Sequence, residues 1–301
     1  MMEGSRAFLA RLGLPEGDEA RPSGSGFPGG GRYGIEIPTV NTAAAARAVL
    51  EDADRLGVRV DRIDETLGAF RHTRKELAEY AALCRDLGAA LHVSIGPRAV
   101  YDISASRLSE QGRTIGYRLR GADQLLYALE DAKRICDLGI RGLLVYDEGL
   151  LWVLHRARQE GELPPDIVLK ASAHCGHGNP ASLRLLERLG ADSINPVRDL
   201  PLPLLSSLRR SVTVPLDVHT DCPPSSGGFI RIYDAPEIVR LCAPVFLKCG
   251  NSVLPAHGAL PTEEDARRMA AQAAIVAETL ERYGQADGQI PPGSARGIPV
   301  K

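Results

Sequence analysis

Several things are missing from this 301-residue sequence, and each absence removes a class of function. There is no basic excess: 36 Lys and Arg stand against 38 Asp and Glu, for a net charge of -2. Nothing is left over to hold a phosphate backbone, so nucleic acid is not an expected partner. There is no apolar run near the ~18 residues a membrane span needs. The start, Met1-Met2-Glu3-Gly4-Ser5-Arg6, has no secretory pattern, so the expectation is a cytoplasmic protein without a membrane partner. Its six cysteines are then expected as thiols or ligands, not disulfides. His-Glu-x-x-His and Cys-x-x-Cys are both absent, so no strong zinc signature is present. Finally, the turn after the first expected strand reads Thr39-Val40-Asn41-Thr42, which is no Gly-rich phosphate loop.

What is present fits a large core: 44% of residues are apolar and 25% charged. Residues 1–33 carry Gly, Pro and Ser runs such as Gly24-Ser25-Gly26-Phe27-Pro28-Gly29-Gly30-Gly31, and read as a flexible leader. Residues 285–301 read as a flexible tail. Between them, 34–284 alternates strand and helix patterns. Strands are expected at 34–38, 58–64, 90–95, 142–147, 167–170, 193–197, 213–219 and 244–249. Helices are expected at 42–56, 73–87, 122–138, 148–159, 235–241 and 262–282, with an irregular insertion at 96–120. Four helices close on Leu-Gly, at Leu56-Gly57, Leu87-Gly88, Leu138-Gly139 and Leu189-Gly190, where a C-cap glycine belongs. Eight strand–helix units in a row predict a single α/β domain, a (βα)8 TIM-type barrel. An open doubly wound sheet is the alternative.

The densest chemistry lies where strand five runs into its helix: Lys170-Ala-Ser-Ala-His-Cys-Gly-His-Gly-Asn-Pro180. In alternating α/β folds that edge is where ligands bind. Side chains two apart on a strand share a face. Lys170, Ser172 and His174 are in phase, as are Asp217 and His219, and His92 and Ser94. Glu36, Asp64, Glu65, Asp147, Asn195 and Lys248 fall at or near other strand ends. The candidate catalytic residues are Glu36, Lys170, Asp217, His219 and Lys248. The candidate substrate contacts are His92, Ser172, Asn195 and Asn251. Either lysine could form a Schiff base at a barrel mouth; the alternative is an ion pair with Glu36 or Asp217. Glu65 and Asp147 could equally cap the helices that come after them.

Two cofactor readings come from the residues. His174, His177, His219 and Asp217 could hold a divalent metal that polarises substrate and lowers the pKa of bound water to about 7, with Glu36 as base. Cys175, Cys222 and Cys249 each come directly after a different strand at one rim. With His177 they could hold an iron–sulfur cluster. Cys84, Cys136 and Cys242 read as core.

The segment from Gly142 to Asn195 resembles the collagenase-like peptidases, peptidase family U32. It has an apolar strand ending in Asp147-Glu148-Gly149, a Ser turn at Ala171-Ser172-Ala173 with Asn179 after it, and a helix ending in Leu189-Gly190-Ala191. Arg198-Asp199-Leu200, Val218-His219-Thr220-Asp221-Cys222 and Lys248-Cys249-Gly250-Asn251 are similar in layout to later elements of that family. The family's Tyr-Ser-Gly-x-Cys and the Glu of its Lys-Ile-Glu-Gly-Arg element are replaced here. The resemblance implies a barrel-like catalytic domain and a hydrolase of peptide or other amide bonds. Some relatives instead carry an iron–sulfur cluster and serve hydroxylation. Three functions are thus expected in competition. They are a hydrolase of a peptide or amide, a lyase or aldolase of a small metabolite through Lys170 or Lys248, and a non-catalytic scaffold.

Overall fold

The structure, a computed structural model, describes residues 2–98, 109, 112, 116–285 and 288–300. Eight parallel strands close into a barrel in sequence order: β1 (Tyr33–Ile37), β2 (Arg62–Glu65), β3 (Ala90–Ser94), β4 (Gly142–Val145), β5 (Val168–Ala171), β6 (Ser193–Ile194), β7 (Leu216–His219) and β8 (Val245–Lys248). The fold is the expected (βα)8 barrel. Closure pairs Glu36 of β1 with Lys248 of β8 and His219 of β7 with the same Lys248. Most of the expected insertion at 96–120 lies outside the described residues.

The described helices are α1 (Glu3–Arg11), α2 (Ala43–Arg55), α3 (Arg74–Asp86), α4 (Gly121–Cys136), α5 (Glu148–Gln159), α6 (Pro180–Arg188), α7 (Leu202–Arg209), α8 (Ala235–Cys242) and α9 (Glu263–Arg282). Their starts are written in side chains. Thr73 with Glu76, Asn179 with Ser182, and Thr262 with Asp265 form reciprocal caps, and the Asp147 side chain accepts from Leu150 N at 2.9 Å. Gly57, Gly88, Gly139 and Gly190 all have positive φ, as their positions after helices predict. At Gly190 a side chain would also strike the His155 ring, 2.2 Å from an added Cβ. Helix α7 has no counterpart among the expected helices. Its Pro203 sits in the first turn, where the missing N–H costs nothing, and its start comes directly after Pro201. No described helix is long and apolar enough to cross a membrane.

Alternation along the strands sorts the interior. Ile35, Ile37, Ile63, Leu91, Val93, Leu143, Leu169, Ile194, Leu216, Val218 and Leu247 join one apolar cluster with the helices. The opposite phase, on β1, β2, β5, β7 and β8, brings Glu36, Arg62, Asp64, Lys170, Asp217 and Lys248 together, all fully buried. A second small cluster, Ala90, Phe246, Ile290 and Ala295, lies at the N-terminal end of the barrel.

The stretches expected as flexible leader and tail make specific contacts. Phe27 packs edge-on against Phe246, with ring centres 5.1 Å apart, and Ser23 N donates to the Arg240 carbonyl at 2.9 Å. Ile290 N donates to the Tyr33 carbonyl at 2.8 Å, Leu91 N to Gly297 at 3.2 Å, and Gln289 Nε2 to Asp61 Oδ2 at 2.8 Å. Together they cover the N-terminal face.

Candidate active site at the C-terminal mouth

Six charges meet inside the barrel. Lys170 Nζ donates to Glu36 Oε1 at 2.5 Å and to both oxygens of Asp64 at 3.0 and 2.9 Å. Lys248 Nζ donates to the same Glu36 oxygen and to Asp64 Oδ2, the latter at 2.6 Å. Arg62 Nη1 donates to Glu36 Oε2 at 3.1 Å, Asp217 Oδ1 at 2.8 Å and Ser193 Oγ at 3.3 Å. Three cations and three carboxylates balance, which is how a buried charged group is normally tolerated.

The two lysines are not equivalent. Lys248 lines a small cavity of about 20 Å³ at the mouth, with Asp64, Thr66, Tyr146, Ser172, Asn195, Arg198, His219, Asn251 and His257. That is room for about one water. Lys170 lies a layer deeper and does not line it. Burial pulls Lys170 below the usual lysine range, aided by Lys248 and opposed by Asp217, Asp64 and Glu36. For Lys248 burial pulls the same way, but Asp64, Glu36 and Asp217 outweigh it and hold the ammonium above the usual range. Burial raises Glu36 too, yet Lys170, Lys248 and Arg62 together keep it well below ordinary carboxylates. Asp64 goes the other way: burial, and then the Glu36 charge, raise it against the two lysines. Two carboxylates sharing two lysines are thus driven apart, which is how acid and base roles are divided in active sites.

Above this floor the groups are neutral bases and fixed cations. His219 Nδ1 lies 3.2 Å from the Asp221 carbonyl, which only an N–H can serve, so Nε2 is left as the lone pair. Burial, then Arg198 and Lys248, keep His219 uncharged. His174 stacks on Tyr117 at 4.0 Å and meets Arg198 Nη2 through its Nε2 at 3.1 Å, so that nitrogen accepts. His257 sits 4.4 Å from His174, ring centre to ring centre, and burial and Arg198 depress its pKa as well. Arg198 Nε and His257 Nε2 are buried without a partner among the described residues. The Arg98 guanidinium lies over Tyr146 at 4.6 Å.

The rim is braced by strained and bonded backbone. Thr39 has φ of 62°, a left-handed conformation that costs a β-branched residue about 1–3 kcal/mol, and its Oγ1 contacts Asn251 Oδ1 at 3.1 Å. The Asn195 side-chain nitrogen lies 3.4 Å from His219 Nε2, the acceptor that this tautomer leaves. Such strain persists only where surrounding packing enforces it, and it concentrates at binding sites.

The structure therefore brings Ser172, Asn195, His219, Lys248 and Asn251 to one cavity. It sets Glu36, Lys170 and Asp217 directly beneath, and His174 directly above. His92 is elsewhere: it is fully buried, 3.9 Å from Asp64, with both ring nitrogens unpaired among the described residues, and does not line the cavity. Arg62, Arg198 and His257 belong to the candidate site although the sequence did not single them out, and Asp64, read there only as a polar strand-end residue, lies on its floor. Arg62 and Asp64 are in phase on β2, a signal the alternation carried.

The metal expectations gain no support from the geometry. Among the described residues no three His, Cys, Asp or Glu lie where they could share an ion. The positive φ of Gly176 turns the chain between His174 and His177, and His177 pairs with Glu148, which also holds Arg118. The three rim cysteines are not gathered around one point among the described residues either. Burial pushes Cys175 and Cys222 up to about 12, and Cys249 also well above the usual range. Cys175 Sγ faces the Val145 carbonyl at 3.7 Å and Cys249 Sγ the Glu36 carbonyl at 3.7 Å. They are packed against separate strands.

No family model matches the sequence, and no curated protein matches it. Similar solved structures exist. The U32 peptidase Mk0906 is 20% identical over 68% of this chain and 74% of its own, with a TM-score of 0.41. A native KDPGal structure is 10% identical, covers 88% of this chain and all of its own, and has a TM-score of 0.51. A designed cube-shaped protein cage is also 10% identical, covering 85% of this chain and 74% of its own, with a TM-score of 0.51. At such identities a likeness is one of fold, and the fold in question is the (βα)8 barrel.

Proposed function

We propose that this chain is an enzyme of the lyase and aldolase class, acting on a small anionic carbonyl compound, with Lys248 as the amine that engages the carbonyl. One observation carries the reading. Lys248 Nζ stands on the cavity floor against Asp64, under the partnerless Nε of Arg198. An anionic group on the substrate satisfies that guanidinium and sets the carbonyl over the lysine. The cavity as it stands admits about one water, so the side chains over the mouth move aside when substrate enters.

The steps follow from the geometry, since the pKa direction of Lys248 runs against them: its carboxylate partners hold the ammonium above the usual range, and that proton must leave first. Lys248 gives a proton to Asp64, whose raised carboxyl makes it a better acceptor than an ordinary carboxylate. The amine adds to the carbonyl carbon, and the oxygen takes up two protons and leaves as water. The resulting protonated imine withdraws electrons from the neighbouring carbon–carbon bond. His219 Nε2 takes the proton of the hydroxyl on the far carbon, and the bond breaks to an aldehyde and an enamine. Protonation of the enamine and hydrolysis of the imine return Lys248. Lys170 shares Glu36 and Asp64, so the carboxylates are not wholly committed to Lys248.

The test is borohydride reduction in the presence of a panel of 2-oxo acids and phosphorylated aldehydes, read by intact mass. A one-to-one adduct is expected with at least one member, and none in Lys248→Met. A full panel without an adduct counts against the lysine chemistry.

A second reading, hydrolysis of a peptide or other amide, rests on His219. Its Nε2, the ring's acceptor, lies 3.4 Å from the Asn195 side-chain nitrogen in a wall of a cavity that holds one water, the arrangement of a general base. The sequence resemblance to the collagenase-like peptidases points the same way. Cleavage of a peptide panel that disappears in His219→Ala but persists in Lys248→Met would favour it over the lyase.

A further inference from the structure

The roomier cavity of the barrel is at the opposite end from the mouth. It measures about 370 Å³, against about 20 Å³ at the mouth, and is walled by Phe27, Arg62, Val168, Val214, Phe246 and Ala295, among others. Native interiors hold few voids larger than a water, and the centre of a barrel of this type is normally filled by layers of side chains. A space of 370 Å³ is within the range of small-ligand sites. Its wall is mainly apolar, with one buried charge in it.

That charge is Arg62, 2% exposed, its guanidinium 3.5 Å from the centre of the Phe246 ring. Every hydrogen bond it makes to the described residues starts from Nη1. Its Nε is buried with no partner among those residues, and an unmet buried donor costs about 1–3 kcal/mol. The edge formed by Nε and Nη2 is the one that grips a carboxylate through two parallel hydrogen bonds. The carboxylate at the rim, Asp192, is already taken by Arg158, Leu169 N and Arg296, so it does not compete for Arg62.

We infer that this cavity binds a small monocarboxylic acid with an apolar body. The carboxylate lies on the Nε and Nη2 edge of Arg62, and the body lies against Phe27, Val214 and Phe246. The cavity opens at the opposite end from the mouth, although Arg62 also joins the charge layer between them, and its binding does not depend on the reaction proposed there. Isothermal titration of the full chain with benzoate, and with its neutral analogue benzamide, tests it. Benzoate is expected to bind one to one, at least tenfold more tightly than benzamide. Ala295→Phe and Val214→Phe fill the cavity and remove no hydrogen bond, so each is expected to weaken benzoate at least tenfold. No saturable benzoate binding overturns the inference, as does benzamide binding equally well. So does benzoate affinity unchanged in both variants, because the acid then sits elsewhere. If neither variant folds, the wild-type comparison of the two ligands decides.

Discussion

The two ends of the barrel are built on opposite terms. The C-terminal end packs Lys248, Asp64, His219, Arg198 and His257 around space for one water. The N-terminal end has nearly twenty times that room, mostly apolar walls, and a cover made from the chain's own leader and tail. The proposed chemistry is at the crowded end. Cavity size marks where something can fit. Opposed pKa shifts and unpaired donors mark where something can react.

The largest break in this comparison comes from the charge layer between the two ends. Glu36→Gln leaves three buried cations facing two carboxylates, and removing one partner of a buried ion pair costs about 3–5 kcal/mol. The urea midpoint should fall accordingly. A loss under about 1 kcal/mol would mean the layer is hydrated and its charges are not confined.

Next comes acid. His92 and His219 are fully buried and held neutral, with pKa values well below the ordinary one, by burial first and then by neighbouring cations. Below about pH 6.5 the unfolded chain binds protons that the folded chain refuses, so stability falls as pH falls. Each histidine adds a slope approaching about 1.4 kcal/mol per pH unit, roughly 2.7 for the two. Glu36, also depressed, extends the loss below the ordinary carboxylate range near pH 4.5. Chemical denaturation from pH 7.5 to 5 should show this acid slope, and a flat profile would mean the rings are charged or solvated.

At the other end the effect is steric. An added Cβ on Gly34 would lie 2.6 Å from the Phe246 ring, so Gly34→Ala displaces the aromatic that stacks on Arg62. Overpacking of this kind costs about 1–3 kcal/mol. Thermal denaturation should show the drop with the charge layer intact. The smallest effect is the surface control. Arg267 pairs with Glu263 at 3.3 Å with about half its side chain exposed, so Arg267→Ala should cost at most about 1 kcal/mol.

Much of this was legible in the sequence. The strand rhythm, the Leu-Gly helix ends and the helix caps gave the barrel. The two-residue phase of Asp217 with His219, and the strand-end position of Lys248, pointed to the mouth. Helix α7 escaped because Pro201 and Pro203 look like breaks until the first-turn position of Pro203 is known. Arg198 and His257 come from loops, where no periodicity says which way a side chain turns. The metal reading found no support around Gly176. His174 and His177 were read as ligands together with His219 and Asp217, but the left-handed Gly176 lies between them, and His174 stands over the mouth while His177 pairs with Glu148. Arg62 could have been found, since it shares its face with Asp64, but its place at the start of β2 put it away from the expected rim.

The central claim is that the lysine facing the mouth does the chemistry and the deeper one supports it. The chain has five lysines, Lys75, Lys133, Lys170, Lys248 and Lys301, so one peptide map resolves the question. Protein reduced with borohydride in the presence of the best trapping carbonyl compound is digested, and the modified lysine is located by mass spectrometry. The account predicts modification on Lys248 with Lys170 untouched. Modification of Lys170, or an even spread over Lys75 and Lys133, would contradict it.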